Sequence, residues 1–502
     1  MADALLGETL AAARGPAIDL AVGEQPPLKV REKAVFAAGD MVDGVVAWAV
    51  ASYLFYYLTA DCGLSGTLAS LTLAISVVID AVVDPAIGFI SDNTRSRWGR
   101  RHPYMFFAAF PTAIALGAIF TVPANLSGGA LFAYVLVTLL LLRIGMSAFT
   151  LPYAALGAEL TANYTERSTV VAYRTFFNIA GNMATWFLAL WVFLRGADGK
   201  LHLLDRNAYA PFAWCVAAIM LAGALISTLG TLGLRGRMHA IPPEAPKIDL
   251  WRELKDVAGN RSFMALFVCI LLFWAAQGTI QVLTLHVVKY FWKLPDGVIS
   301  SLSLFYFAGV LTGIPLAGFA LQKAEKRVVA LWTLVVLCGF HMLTPIMRVF
   351  HLLPEEGPAL WAIIFAVEMI KGWAASALGI AFWSMLADAA DEHEFLSGSR
   401  REGLYFAGLT FSAKAAIGIG SIIAGIAFDL IGFPQDLAKV GEVRITAEVA
   451  RNLGLIQGPV AGFIAMLSAL VLIFYRIDVT RYREIQAALQ QRKSGDKTLP
   501  GA

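Results

Sequence analysis

Apolar stretches of about 20 residues recur from one end of this 502-residue chain to the other, and they leave few folds open. A helix of that length crosses the hydrocarbon core of a bilayer, where every backbone polar group must be satisfied within the segment. Twelve such spans can be placed by hydropathy, near 34–58, 67–91, 103–122, 130–155, 169–194, 209–233, 262–289, 298–321, 329–350, 359–387, 403–431 and 457–476. Only 15% of the residues are charged against 58% hydrophobic, which excludes a soluble globular chain. The expected fold is an all-α membrane protein of about 12 transmembrane helices.

The longest internal polar segment, 234–261, carries Pro242, Pro243 and Pro246 and divides the spans six and six. The domain reading is therefore a cytoplasmic tail at 1–33, a first bundle at 34–233, a cytoplasmic linker at 234–261, a second bundle at 262–476 and a cytoplasmic tail at 477–502. Lys and Arg concentrate on the side holding both termini, which makes that side cytoplasmic and places the protein in a plasma (inner) membrane. The first 33 residues do not look like a cleaved signal. A net charge of +3 suggests no nucleic-acid role, and the four cysteines are too far apart for a metal site. No cofactor is expected, and the chain is expected to act as a monomer in the lipid bilayer.

The halves echo each other. Pro85-Ala-Ile-Gly-Phe89 before Arg100 and Arg101 matches Pro315-Leu-Ala-Gly-Phe319 before Lys326 and Arg327. Ala154-Ala-Leu-Gly-Ala-Glu159 ends span four much as Ser384-Met-Leu-Ala-Asp388 ends span ten. Paired six-helix repeats with a site at their interface are a transporter architecture.

Charge inside the spans marks candidate function. Asp80 and Asp84 stand four residues apart in span two, on one helical face. Carboxylates there suit a cation site, binding Na⁺ or sharing a proton, or else a structural pair with basic residues of the bundle. Pro85 lacks an N–H, so the Ala81 carbonyl loses its helical partner and becomes a further possible ligand. Ile314 takes the place of Asp84 in the second half, so the carboxylate pair belongs to one repeat alone. Arg143, Ser147 and Thr150 share one face of span four, Asp40 and Asp43 lie in span one, and Arg174 begins span five. These arginines suit either an anionic or hydroxyl-rich solute or internal pairing with Asp80 or Asp40. Lys414 in span eleven sits too deep to snorkel easily. Glu368 and Lys371, at i and i+3 in span ten, read as a self-paired couple or a solute contact. Asp92, Arg95, Arg97, Arg100, Arg101 and Glu159, with Asp388 and Asp391, fall at cytoplasmic helix ends and read as a gate that cross-links the halves when the inner side closes.

The run Asp80-Ala-Val-Val-Asp84-Pro-Ala-Ile-Gly88 followed by Ser91-Asp92-x-Thr94-Arg95-Ser96-Arg97-Trp98-Gly99-Arg100-Arg101-x-Pro103 resembles the glycoside–pentoside–hexuronide:cation symporter family, a branch of the major facilitator superfamily. Pro152-Tyr153 through Glu159, Ala387-Asp388-x-x-Asp391, and Arg401-Glu-Gly-Leu-Tyr-Phe406 with Lys414 resemble the same family, so the likeness covers about residues 35–485. The resemblance implies the major facilitator fold and cation-coupled symport of a glycoside or related sugar by alternating access. It implies Asp80, Asp84 and Ser147 as the cation site, the two carboxylates being metal ligands if the ion is Na⁺. It implies Asp40, Asp43, Arg143, Thr150, Tyr153 and Arg174 as the substrate set, and Lys414 as a coupling residue. Two sugar-contacting positions of the family fall at Gly44 and Thr150 here, so the solute is the open question. Carriage of a non-sugar solute, such as a lysophospholipid or organic anion, is the alternative. An intramembrane aspartyl hydrolase and a channel or sensor are remoter ones.

Overall fold

The computed structural model describes residues 27–161, 164–237, 259–397 and 402–494; most of the proposed linker and both chain ends lie outside them. Twelve helices are long and apolar enough to cross a membrane. They are α1 (Val30–Leu54), α2 (Gly66–Asn93), α3 (His102–Ile119), α4 (Gly128–Glu159), α5 (Glu166–Phe193), α6 (Arg206–Gly230), α7 (Arg261–Phe291), α8 (Asp296–Lys323), α9 (Lys326–Val349), α10 (Pro358–Ser397), α11 (Glu402–Leu430) and α12 (Ala447–Leu472). A thirteenth, α13 (Val479–Ser494), gives the expected C-terminal tail a helix that packs on α10 and buries Ile485 and Leu489.

The helix starts follow local chemistry. Ser65, Asp205, Asn260 and Thr446 cap α2, α6, α7 and α12 by accepting a hydrogen bond from a first-turn N–H. The chain loosens into π-turns at corresponding places, Tyr57–Asp61 just beyond α1 and Val287–Phe291 at the end of α7. The closing bonds also correspond: Cys62 N–H to Tyr57 O and Leu64 N–H to Leu58 O, against Trp292 N–H to Val287 O and Leu294 N–H to Val288 O. The repeat glimpsed in short sequence echoes is thus written into the backbone.

Packing obeys the same repeat. Within the first half α1 packs on α5, α2 on α4, and α3 on α4 and α6; within the second α7 packs on α11, α8 on α10, and α9 on α10 and α12. The halves meet most extensively along α2 and α11. That seam is close at one end: a Cβ on Gly425 would collide with the Gly66 carbonyl and the Ser70 hydroxyl. Small residues let the two backbones touch, the usual means of tight packing in lipid.

Hydrogen bonds between the halves gather at this end. The Asp429 carboxylate of α11 accepts the Gly66 and Thr67 N–H groups at 2.8 Å each, so one half caps the first turn of a helix in the other. The Tyr56 and Tyr290 hydroxyls meet at 2.8 Å, Thr59 lies 3.1 Å from His286 Nε2, and Trp191 donates to the Ser300 carbonyl at 3.1 Å. The Arg195 guanidinium donates to Ser300 Oγ at 3.0 Å. At the opposite end, Glu159, Asp92 and Asp388 pair with bases of their own half. Glu159 accepts from Arg100 and Arg101 at 2.6 and 2.7 Å, Asp92 pairs with Arg101 at 2.9 Å, and Asp388 pairs with Lys326 at 2.7 Å. Gln486 donates to Asp391 at 2.8 Å, and Arg95 and Arg97 are exposed. The pairs named here each join groups of one half and do not cross-link the halves in this arrangement. The reason is geometric, since the halves are clamped at the other end.

Beyond the end of α1, Asp61 is buried at the clamped end, and its Oδ2 has no hydrogen-bond partner among the described residues. Burial pushes its carboxyl up to about 7, against the pull of the Arg206 guanidinium. The protonated form therefore fits the folded protein better. Its contribution is fully present below the ordinary carboxylate value of about 3.9 and is lost as pH rises through 7. The thermal midpoint in detergent should fall between pH 5 and pH 8, and Asp61→Asn should flatten that fall; an unchanged pH profile in the variant would count against it. Asp429→Ala removes the shared cap, which is worth about 1 kcal/mol in ordinary helices. It should speed labelling of the buried Cys62 thiol by a membrane-impermeant maleimide, measured against the parent protein.

Candidate functional site

The seam between α2 and α11 carries the charges singled out in the sequence. Asp80 is buried on the inner face of α2, and Asp84 lies one turn on. Ser147 of α4 donates a short hydrogen bond to Asp84 Oδ1, and the Lys414 ammonium of α11 reaches Asp84 Oδ2 at 3.0 Å and Asp80 Oδ2 at 3.8 Å. Arg143 of α4 approaches Asp80 Oδ2 at 3.6 Å. Two carboxylates thus face two basic groups, three of the four coming from one half and Lys414 from the other. The four formal charges cancel, which is the condition for holding them between apolar helices.

The grouping chooses between readings the sequence left open. Arg143 is paired with Asp80, so its guanidinium is committed to the carboxylate pair. The cation set Asp80, Asp84 and Ser147 is brought together in space, with Lys414 in contact with both carboxylates. Among the described residues no group of three or more His, Cys, Asp or Glu side chains is placed to hold a metal ion. Any ion at this point therefore has the two carboxylates, the Ser147 hydroxyl and main-chain oxygens as donors, a set of hard oxygens suited to Na⁺ or to a proton.

The expected substrate residues are arranged differently. Arg174 of α5 makes a two-pronged bond to Asp40 of α1, at 2.8 and 3.2 Å, and lies 5.0 Å above the Tyr153 ring. Tyr153 is buried, stacked between Phe36 at 4.6 Å and Phe149 at 5.8 Å. Asn178 donates to Asp43 at 3.2 Å, and the Thr150 hydroxyl turns back to the Met146 carbonyl at 2.9 Å. Asp40 and Arg174 satisfy each other, whereas the buried Tyr153 hydroxyl has no hydrogen-bond partner among the described residues. Gly44 is explained by packing: a Cβ there would strike the Asn178 carbonyl, so α1 and α5 cross too closely for the aspartate that the family resemblance places at this point.

A solute-sized open space lies elsewhere. A cavity of about 620 Å³ is lined by α7 to α12, with Trp48 contributed by α1. Glu368 and Lys371 face it as an ion pair, joined by His341 of α9 and by Gln277 and Gln281 of α7. None of Asp40, Asp43, Arg143, Thr150, Tyr153 or Arg174 lines it. The sequence signal for the glutamines is their spacing, Gln277, Gln281 and Thr284 at i, i+4 and i+7 on one face of an apolar span. Uncharged amides raise no alarm in a hydropathy reading, and they were passed over.

Comparison with known proteins agrees with this architecture. The chain is 25% identical to the symporter sll1374 of Synechocystis sp., over 92% of this chain and 97% of that one. It is 24% identical to the isoprimeverose transporter of Lactiplantibacillus pentosus, over 93% of each chain. It is 23% identical to a glucuronide carrier protein homolog of Escherichia coli, over 92% of this chain and 96% of that one. In fold it resembles the E. coli xylose transporter XylE in an inward-open conformation, with a TM-score of 0.56 at 15% identity, over 91% of this chain and 98% of that one. The model of the family described as MFS/sugar transport protein matches residues 35–479. This chain is therefore a multi-pass membrane symporter of that family, a transporter and not an enzyme.

Proposed function

We propose that the protein couples inward movement of a sugar-like solute to a cation, Na⁺ or H⁺, bound at Asp80 and Asp84. The observation that carries the reading is the position of Lys414. It is the one basic group of the cluster supplied by the opposite half, and it stands against both carboxylates. When the halves rock apart along α2 and α11, Lys414 leaves and Asp84 is stripped of its counter-charge. A bare carboxylate between apolar helices is unfavourable by several kcal/mol. A cation or proton restores neutrality, and on reclosure Lys414 displaces it. Exchange of one positive charge for another thereby links ion binding to the direction the carrier faces.

Ser147 holds Asp84 in the orientation that faces α11, and Arg143 keeps Asp80 neutralised in either state, because both lie in the same half as the pair. The membrane is taken to be the inner membrane with both chain ends in the cytoplasm, and the working unit a monomer. The clamped end then faces outward and the cavity is served from the cytoplasm. The loop charges Asp92, Arg95, Arg97, Arg100, Arg101, Glu159, Asp388 and Asp391 are assigned to the inner gate of the opposite state. A lysophospholipid or organic-anion carrier would need a free cation for the headgroup, and Arg143 is engaged by Asp80.

Asp84→Asn should reduce gradient-driven accumulation in proteoliposomes at least tenfold while leaving solute counterflow measurable; concentrative uptake at the parent level would remove Asp84 from the coupling site. Lys414→Gln should leave the carboxylates uncompensated and raise the apparent affinity for the coupling cation, read by titrating uptake with Na⁺ at fixed pH and with pH at fixed Na⁺. An unchanged midpoint in both titrations would break the exchange mechanism.

A further inference from the structure

Solute recognition needs vacant space lined by groups with bonding capacity to spare. In the first half Arg174 is bonded to Asp40 and Arg143 pairs with Asp80, while Asp43 accepts from Asn178 and stays exposed. The second half holds the space. Its 620 Å³ lies within the range of about 300–1,000 Å³ typical of small-molecule sites.

The lining has two kinds of surface. Trp48, Trp274, Trp292, Tyr306 and Trp383 supply broad aromatic faces. Gln277 and Gln281 supply amides able to donate and to accept, and Gln457 supplies an amide oxygen that can accept. Gln457 is held in place by bonds to the Thr284 hydroxyl at 3.0 Å and the Ile280 carbonyl at 3.1 Å. Amides beside aromatic planes suit a sugar ring, which presents hydroxyls at its edge and C–H groups on its faces.

The formal charges in the cavity are one carboxylate and one ammonium, and they are bonded together. The Lys371 ammonium donates to Glu368 Oε1, leaving Oε2 as an acceptor for a solute hydroxyl. A charged solute would enter without a counter-ion, or would have to break the pair and strand the other member. Either course is costly in a cavity walled by apolar side chains. An uncharged polyol meets no such obstacle.

The cavity also touches the coupling element. Thr410 and Ala413 of α11 line it, and the next residue is Lys414, whose ammonium holds Asp84 across the seam. A solute in this cavity therefore bears on the helix that must move for the cation to enter.

We infer that the cavity in the second half is the solute site, and that Gln277, Gln281 and the Glu368–Lys371 pair select an uncharged glycoside of roughly disaccharide size over a hexuronide or other anion. The inference rests on the cation-coupled symport reading above and adds the place and the class of the solute. Gln277 and Gln281 bind hydroxyls directly. Glu368 both accepts a hydroxyl and cancels the lysine charge that would otherwise attract an anion.

The test uses the full-length protein in proteoliposomes, with counterflow of 4-nitrophenyl β-D-glucoside and 4-nitrophenyl β-D-glucuronide, each with Na⁺ and with a proton gradient. Cation-dependent tryptophan fluorescence serves as the check that each variant is folded. The parent should move the glucoside at least tenfold faster than the glucuronide. Gln277→Ala and Gln281→Ala should each raise the glucoside KM about tenfold with the cation response intact. Glu368→Gln frees the lysine charge and should shift the glucuronide-to-glucoside ratio at least tenfold toward the anion, a gain that misfolding cannot produce. A parent that prefers the glucuronide overturns the uncharged-solute assignment and leaves symport standing. Loss of glucoside transport in Asp43→Ala and Thr150→Ala, with both glutamine variants unaffected, overturns the location. A parent that moves neither solute under either gradient overturns the symport reading and this inference with it.

Discussion

The Asp84–Lys414 contact is the interaction on which the arrangement of the two halves turns. It sits on the seam where α2 and α11 pack, and the same pair of helices is tied again by Asp429 at the first turn of α2. Between those two ties the backbones approach closely enough that Gly425 admits no side chain. A charge contact, a shared helix cap and a steric fit therefore act on one helix pair. Each is strong only where water is absent and packing is close. Movement along this seam changes all three together, which favours two discrete states over a graded slide.

Symmetry is what makes that concentration informative. The backbone treats the halves as equals, down to matching π-turns where α1 and α7 end and matching packing of α1 on α5 and α7 on α11. Chemistry then divides them. The carboxylate pair belongs to α2, while its counterpart α8 has Ile314 where Asp84 would stand. The cavity with its glutamines and ion pair belongs to the second half. One repeat holds the ion chemistry and the other the solute-sized space, with Lys414 spanning the division.

The number of helices and the importance of Asp80 and Asp84 were legible in the sequence, because hydropathy and intramembrane charge are strong signals that need no partner to be interpreted. Ser147 and Lys414 lie against Asp84 in the folded bundle. The fates of Arg143 and Arg174 were not legible, since each had more than one carboxylate in reach along the chain and only packing decides between them. Asp40 and Arg174 turned out to be each other's partners. Of the gate residues, Glu159, Asp92 and Asp388 paired with bases of their own half, a matter of conformation that composition does not record. Much of the clamp is hard to read from sequence because Tyr56, Tyr290, Thr59 and His286 blend into apolar runs, while Asp429 and Arg195 lie at helix ends where charge is ordinary.

The separation of Asp84 from its partner also bears on how the protein is made. Lys414 follows Asp84 by 330 residues, so α2 is synthesised and delivered to the membrane long before α11 exists. Throughout that interval the cluster at the seam consists of Asp80, Asp84 and Arg143, an excess of one negative charge. Until the eleventh helix arrives, Asp84 has the Ser147 hydroxyl as its partner and lacks its basic one. The arrival of Lys414 is then the event that discharges the first half and docks the second upon it, so that the residue assigned to each transport cycle also completes biogenesis.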